Sequence, residues 1–75
     1  MVKIRPLKPK EVLAALKKAG FIERRQTGSH VILKNSQTGK ITVVPVHGGH
    51  DIKTGTLRSI IRQTGLTTEE FFNLL

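Results

Sequence analysis

Phe21-Ile22-Glu23-Arg24-Arg25-Gln26-Thr27-Gly28-Ser29-His30-Val31-Ile32-Leu33-Lys34 is the stretch whose reading decides the fold. Two extended runs flank a turn signal: Phe21 to Gln26 reads as a first strand, Thr27-Gly28-Ser29 as its turn and His30 to Lys34 as a second strand. Beyond it, Asn35-Ser36-Gln37-Thr38-Gly39 is a polar loop rich in turn formers. Ile41 to Val46 then reads as a third strand, with Pro45 near its end. The three strands form an antiparallel meander.

Helical signals lie on both sides. Pro9 suits the first turn of a helix that carries Val12, Ala15, Leu16 and Ala19 at helical spacing, and Gly20 supplies its stop. After the strands, His47-Gly48-Gly49-His50-Asp51 is a flexible loop. Leu57, Ile60 and Ile61 line one side of a helix over about Thr54 to Thr64, which Gly65 ends. Thr67 and Glu70 match the capping box of a short last helix expected to bring Phe71, Phe72, Leu74 and Leu75 to the core. The order α-β-β-β-α-α is an α+β class, with helices packed on one face of the sheet and the other face open. The strand period of two turns Val31 and Leu33 toward the helices and His30, Ile32 and Lys34 toward the open side.

Seventy-five residues are read as one domain over 1–75. A chain this short buries only about 60% of the surface it exposes unfolded, which argues against a large enclosed pocket. With no cysteine, neither a disulfide nor a Cys-based zinc site can staple it. Thirteen Lys and Arg against five Asp and Glu give a net charge of +8. That charge favours a polyanion, nucleic acid first, and speeds encounter with an acidic protein; solubility alone is the plainer explanation. There is no Tyr or Trp, and the three Phe fall at core positions, which disfavours an aromatic platform for bases. The opening Met1-Val2-Lys3-Ile4-Arg5-Pro6 is basic but leads into no apolar stretch of signal-peptide length, and no segment approaches a membrane span. The expectation is a cytoplasmic protein with no membrane partner.

Several segments in order resemble one known family. They are Leu7-Lys8-Pro9-Lys10-Glu11-Val12-Leu13, Leu16-Lys17-Lys18-Ala19-Gly20-Phe21, Gly28-Ser29-His30, Val44-Pro45-Val46-His47, Gly55-Thr56-Leu57-Arg58-Ser59-Ile60-Ile61 and Gly65-Leu66-Thr67. Together they resemble the HicA-type toxins of bacterial toxin–antitoxin pairs, over nearly the whole chain. The resemblance implies a double-stranded-RNA-binding-domain-like fold, cleavage of mRNA, restraint by a cognate HicB-type antitoxin, and a catalytic role for His30 in its Gly-Ser-His motif. Residues Met1 to Pro6 precede the part shared with many members. They are open to reading as a flexible tail, a phosphate-contacting arm or part of a partner interface.

The chemistry can be read from the residues as well. RNA carries its own nucleophile, the 2′-hydroxyl, so cleavage needs deprotonation of that group, protonation of the leaving oxygen and stabilisation of the charge on phosphorus. A histidine suits either proton role and a nearby Lys or Arg the third, with no metal or cofactor. His30, at a strand start beside a glycine turn, is the first candidate; the plainer alternative is a strand histidine bonded to backbone. Gly28 supplies a turn dihedral. Ser29 supplies a turn hydrogen bond or a donor to phosphate. His47 and His50 are auxiliary candidates in the glycine-rich loop, His47 ahead because Val-Pro-Val-His belongs to the resemblance. With Asp51 they also form a weak metal-like pattern lacking further ligands, and a solvated loop is the plainer explanation of both histidines. Arg24, Arg25, Lys34 and Lys40 on the sheet and its turns, with Lys17 and Lys18 ending the first helix, suit sugar–phosphate contacts or are ordinary solvated charges. A noncatalytic RNA-binding module of the same fold is the alternative function, and a protein-interaction domain the third.

Overall fold

The computed structural model describes residues 2–75; Met1 of the basic lead lies outside them. Helix α1 (Pro9–Lys18) starts at its proline, where the missing N–H costs no helical bond. The Glu11 carboxylate reaches back to accept from the Lys8 N–H at 3.0 Å. Its apolar stripe, Val12, Ala15 and Leu16, is fully buried. The helix gives way at Gly20, whose φ of +98° lies in the left-handed region.

Strands β1 (Phe21–Thr27), β2 (His30–Asn35) and β3 (Ile41–Pro45) form one antiparallel sheet in the order β1-β2-β3. Each departs from the sequence expectation by a residue at its end, and Thr27 belongs to β1 rather than to the turn. That leaves Gly28-Ser29 as a two-residue hairpin turn. Gly28 has φ +56° while Ser29 stays negative, which is the pattern of a type II′ turn with glycine first.

Helix α2 (Thr54–Thr64) ends on Gly65 in the left-handed conformation. Helix α3 (Thr68–Phe72) opens on the expected capping box: Thr67 N–H donates to Glu70 at 2.8 Å and Glu70 N–H to Thr67 Oγ1 at 3.1 Å. Helix α1 packs on β1 and β3, and α2 packs on β3 and α3. Phe21, Val31, Leu33 and Val44 of the sheet join Leu16, Leu57, Ile60, Ile61 and Phe71 in a single core. The result is an α+β fold with an open sheet face, an arrangement compatible with the double-stranded-RNA-binding-domain-like expectation.

One expectation about the core is corrected. Leu75 lies beyond the last helical turn and is 42% exposed, so the core takes Phe71 fully and Phe72 and Leu74 only in part. Phe72 gives the rest of its ring to Arg5, whose guanidinium sits 5.5 Å from the ring centre. Ile4 also packs against the core. Leu7 is buried and exchanges backbone hydrogen bonds with Ile52, which ties the start of the chain to the segment before α2.

Buried polar groups are paired. Thr42 Oγ1 donates to Gln63 at 2.6 Å, and Thr64 Oγ1 donates to the Ile61 carbonyl while accepting from Leu66 N–H. Asn35 joins three elements: its Nδ2 donates to the Ala19 carbonyl at the end of α1, and its Oδ1 accepts from Gln37 and Thr38 in the β2–β3 turn. Alanine there leaves two turn N–H groups and a helix carbonyl without their partner. Asn35→Ala is therefore expected to lower unfolding stability by about 1–3 kcal/mol in urea titration, while Ser36→Ala on the exposed turn stays within about 0.5 kcal/mol of wild type.

Candidate active site

The open face of the sheet is written in its register. The pairs Ile22↔Lys34↔Ile41, Arg25↔Ile32↔Val43 and Thr27↔His30↔Pro45 run across it as three rows. Between them, Leu33 and Val31 point to the helices with Thr42 and Val44. A β-bulge lies between Glu23 and Arg25 and leaves Arg24 unpaired. The extra residue changes the phase of β1, so Arg25 and Thr27 share the face of His30, which strict alternation from Phe21 would have denied them.

His30 stands exposed at the end of this face where β2 begins. The chain returns to it after β3, because the Val46 N–H donates to the Ser29 carbonyl at 2.6 Å. His47 follows immediately. Its ring lies edge to face against His30, with centroids 5.4 Å apart and planes at 86°. Its Nε2 is 3.5 Å from Ser29 Oγ, at the limit of a hydrogen bond. Gly48 and Gly49 then take φ of +47° and +79°, and the His50 N–H donates back to the His47 carbonyl at 2.7 Å. This sharp reversal suits glycine because both dihedrals fall where side chains are strained.

An open cleft of about 610 Å³ lies beside the two rings. His30, Val43 and Pro45 line it from the sheet, His47, His50 and Asp51 from the loop, and Ile52, Lys53 and Thr56 from the start of α2. Lys53 is the N-cap of α2, so its backbone position is fixed by the helix start. Asp51 lies 3.8 Å from Lys8, a long exposed pair. Among the described residues no three His, Cys, Asp or Glu side chains gather as a metal site, His47, His50 and Asp51 included.

The basic residues singled out in the sequence do not form one patch. Arg25 and Lys34 share the face of His30, and Arg24 stands in the adjoining bulge. Lys17 forms a 3.0 Å ion pair with Glu23, and Lys18 donates to the Leu74 carbonyl at 3.0 Å. Lys40 lies in the β2–β3 turn, where its side chain passes over Gly65 at the far end of α2. Lys53 and Thr56 are cleft residues that the sequence reading missed. The available signal was a lysine just past the glycine-rich loop, separated from it by Ile52, and immediately before a helix start.

The HicA toxin family of bacterial toxin–antitoxin systems matches over residues 9–66, a span that holds the whole sheet, the Gly-Ser-His turn, the loop of His47 and α2. The chain belongs to the HicA toxin family. As a HicA-family chain it is the toxin of a toxin–antitoxin pair, which implies an antitoxin partner. A comparison with curated proteins finds no match. Among the described residues no helix is long and apolar enough to cross a membrane.

In this HicA-family chain the Gly28 turn aims both Ser29 and His30. A Cβ on Gly28 would meet nothing within 4 Å, so substitution acts through the dihedral alone. Gly28→Ala is expected to cost about 1–3 kcal/mol in chemical denaturation. The same position made D-alanine by total synthesis, which accepts positive φ, is expected to keep wild-type stability.

Proposed function

We propose that this HicA-family toxin is an endoribonuclease, an mRNA interferase that cleaves mRNA in the cytoplasm by metal-independent chemistry centred on His30, and that a cognate HicB-type antitoxin inhibits it. The observation that carries this reading is the exposed imidazole of His30, held at the end of the open sheet face and at the wall of a cleft that also receives Lys53. Of the reaction's four requirements the substrate meets the first and the site offers counterparts to the other three. The RNA brings its own 2′-hydroxyl nucleophile. The His30 imidazole moves a proton, as base or as acid. Lys53 in the cleft and Arg25 on the neighbouring row offset the negative charge that grows on the phosphate oxygens. Arg24 and Lys34 hold the flanking sugar–phosphate backbone without reading bases.

The cleft is open rather than enclosed, which suits a cut inside a long chain. The absence of Tyr and Trp leaves no stacking platform, so binding is dominated by phosphate contacts and falls steeply with salt. The same charge of +8 steers an acidic antitoxin surface onto the toxin.

Purified wild-type protein is expected to cut a long RNA in the presence of chelator and to leave DNA of the same sequence intact, because DNA lacks the 2′-hydroxyl. His30→Ala is expected to cut at least about 100-fold more slowly with unchanged unfolding temperature and RNA affinity. Arg25→Ala should weaken RNA binding and reduce the slope of log K against log salt by about 1. A wild type that binds RNA in a salt-dependent way and never cuts it selects the noncatalytic RNA-binding module instead.

A further inference from the structure

His47 is placed as though its ring mattered. Two separate constraints bring it to His30: the 2.6 Å backbone bond from Val46 to Ser29 fixes where the loop leaves β3, and the turn closed by His50 N–H fixes the carbonyl of His47 itself. Ser29 Oγ then stands 3.5 Å from Nε2. Both rings remain exposed and line one cleft. A solvated loop histidine has no need of a fixed place, whereas this ring is held edge to face against His30 at 5.4 Å. Here the residue beside a candidate acid–base histidine is a second imidazole with the same chemical range.

We propose that His30 and His47 act as a couple, one taking the proton of the attacking 2′-hydroxyl and the other giving a proton to the leaving 5′-oxygen, with Ser29 as a positioning residue for His47. This inference rests on the ribonuclease reading above. The step balances without water or a metal: the 2′-oxygen forms a bond to phosphorus as its proton passes to one neutral imidazole, and the bond from phosphorus to the 5′-oxygen breaks as the other, protonated imidazole supplies the proton to that oxygen. The products are a 2′,3′-cyclic phosphate and a 5′-hydroxyl end. The two histidines finish with their protonation states exchanged and reset through solvent, to which both are open. Ring centres 5.4 Å apart allow one nitrogen of each to reach a single phosphate seated in the cleft beside them, which Lys53 also lines.

The charged and titratable groups that line the cleft with His47 are His30 from β2, which its ring touches, His50 and Asp51 from its own loop, and Lys53 from the start of α2. A couple of this kind works only while one member is neutral and the other protonated, so the rate against pH is bell-shaped.

The test is cleavage of an RNA dinucleotide across about pH 5 to 9 by wild type, His30→Ala, His47→Ala and His47→Gln, with end-group analysis. Each substrate is also supplied with a 5′-bridging sulfur, whose thiolate leaves without a proton. Glutamine keeps a hydrogen-bonding group for Ser29 but moves no proton, and it serves if the alanine variant fails to fold. Expected are a bell-shaped wild-type profile, cyclic phosphate ends, a loss of about 10²–10⁴-fold in both His47 variants and one limb missing from their profiles. The sulfur substrate should restore most of the rate to the variant lacking the acid and to that variant alone. His47 variants that cut within about threefold of wild type overturn the couple, as do slowed variants with an intact bell and no response to the sulfur substrate. In either case, if His30→Ala is inactive, the ribonuclease reading stands. A wild type that leaves RNA uncut overturns both.

Discussion

The alternation of β2 is the constraint on which the rest depends. Val31 and Leu33 are both committed to the core beneath the helices, at 3% and 0% exposure. A strand cannot bury these two and also bury the residues between them, so His30, Ile32 and Lys34 are turned to the open face by the pleat itself. Slipping β2 by one residue would expose two core side chains and bury an imidazole and a lysine. The hydrophobic effect that stabilises this small chain therefore also holds His30 out toward solvent.

Position along the strand matters as much as face. His30 is the first residue of β2, and the type II′ turn before it leaves no slack between β1 and the imidazole. On the other side, the loop from Val46 to Lys53 is tethered at both ends, by Val46 to Ser29 and by Ile52 to Leu7. Between the tethers only glycine dihedrals and one turn bond are needed to bring His47 against His30. The loop that carries His47 is thus pinned by main-chain hydrogen bonds, which depend little on side-chain identity.

Much of this is legible in the sequence because it is local. Pro9, Gly20, Gly65 and the Thr67–Glu70 box mark helix limits with signals that act within a turn or two, and the order of elements follows from periodicity. The outward placement of His30 follows from its neighbours in the same way. What is not legible depends on distant partners. The bulge at Arg24 exists only relative to β2, and no feature of Glu23-Arg24-Arg25 announces it. The contact between Leu7 and Ile52 joins segments far apart in the sequence. Asn35 reads as a turn former, but its bond to the end of α1 needs the packed helix. Lys53 can be placed before a helix start from sequence, but its place in the cleft needs α2 docked, and Leu75 looks like core until the helix before it runs out. The six basic residues illustrate the same limit: sequence supplies their charge, and only tertiary structure separates Arg25 on the face of His30 from Lys17 paired with Glu23.

Size and chemistry are matched in this chain. Seventy-five residues without a cysteine leave little core to spend on enclosing a substrate, and an open site cannot rely on excluding water to strengthen its electrostatics. A reaction whose nucleophile is already part of the substrate asks least of such a site. In the ribonuclease reaction proposed above, proximity of nucleophile and phosphorus is supplied by the RNA itself, which would leave the protein to position proton carriers and positive charge. Those requirements are met by surface side chains on a rigid sheet end and a tethered loop, with no cavity to build. The same openness means that a partner can cover the site without prising the fold apart. Exposed Ile22, Ile41 and Val43 on the face of His30 give a covering protein apolar area to bury, and the flanking Arg25 and Lys34 favour acidic groups around it. An open, basic, partly apolar face therefore suits both the proposed reaction, which needs no enclosed cavity, and a partner that covers it.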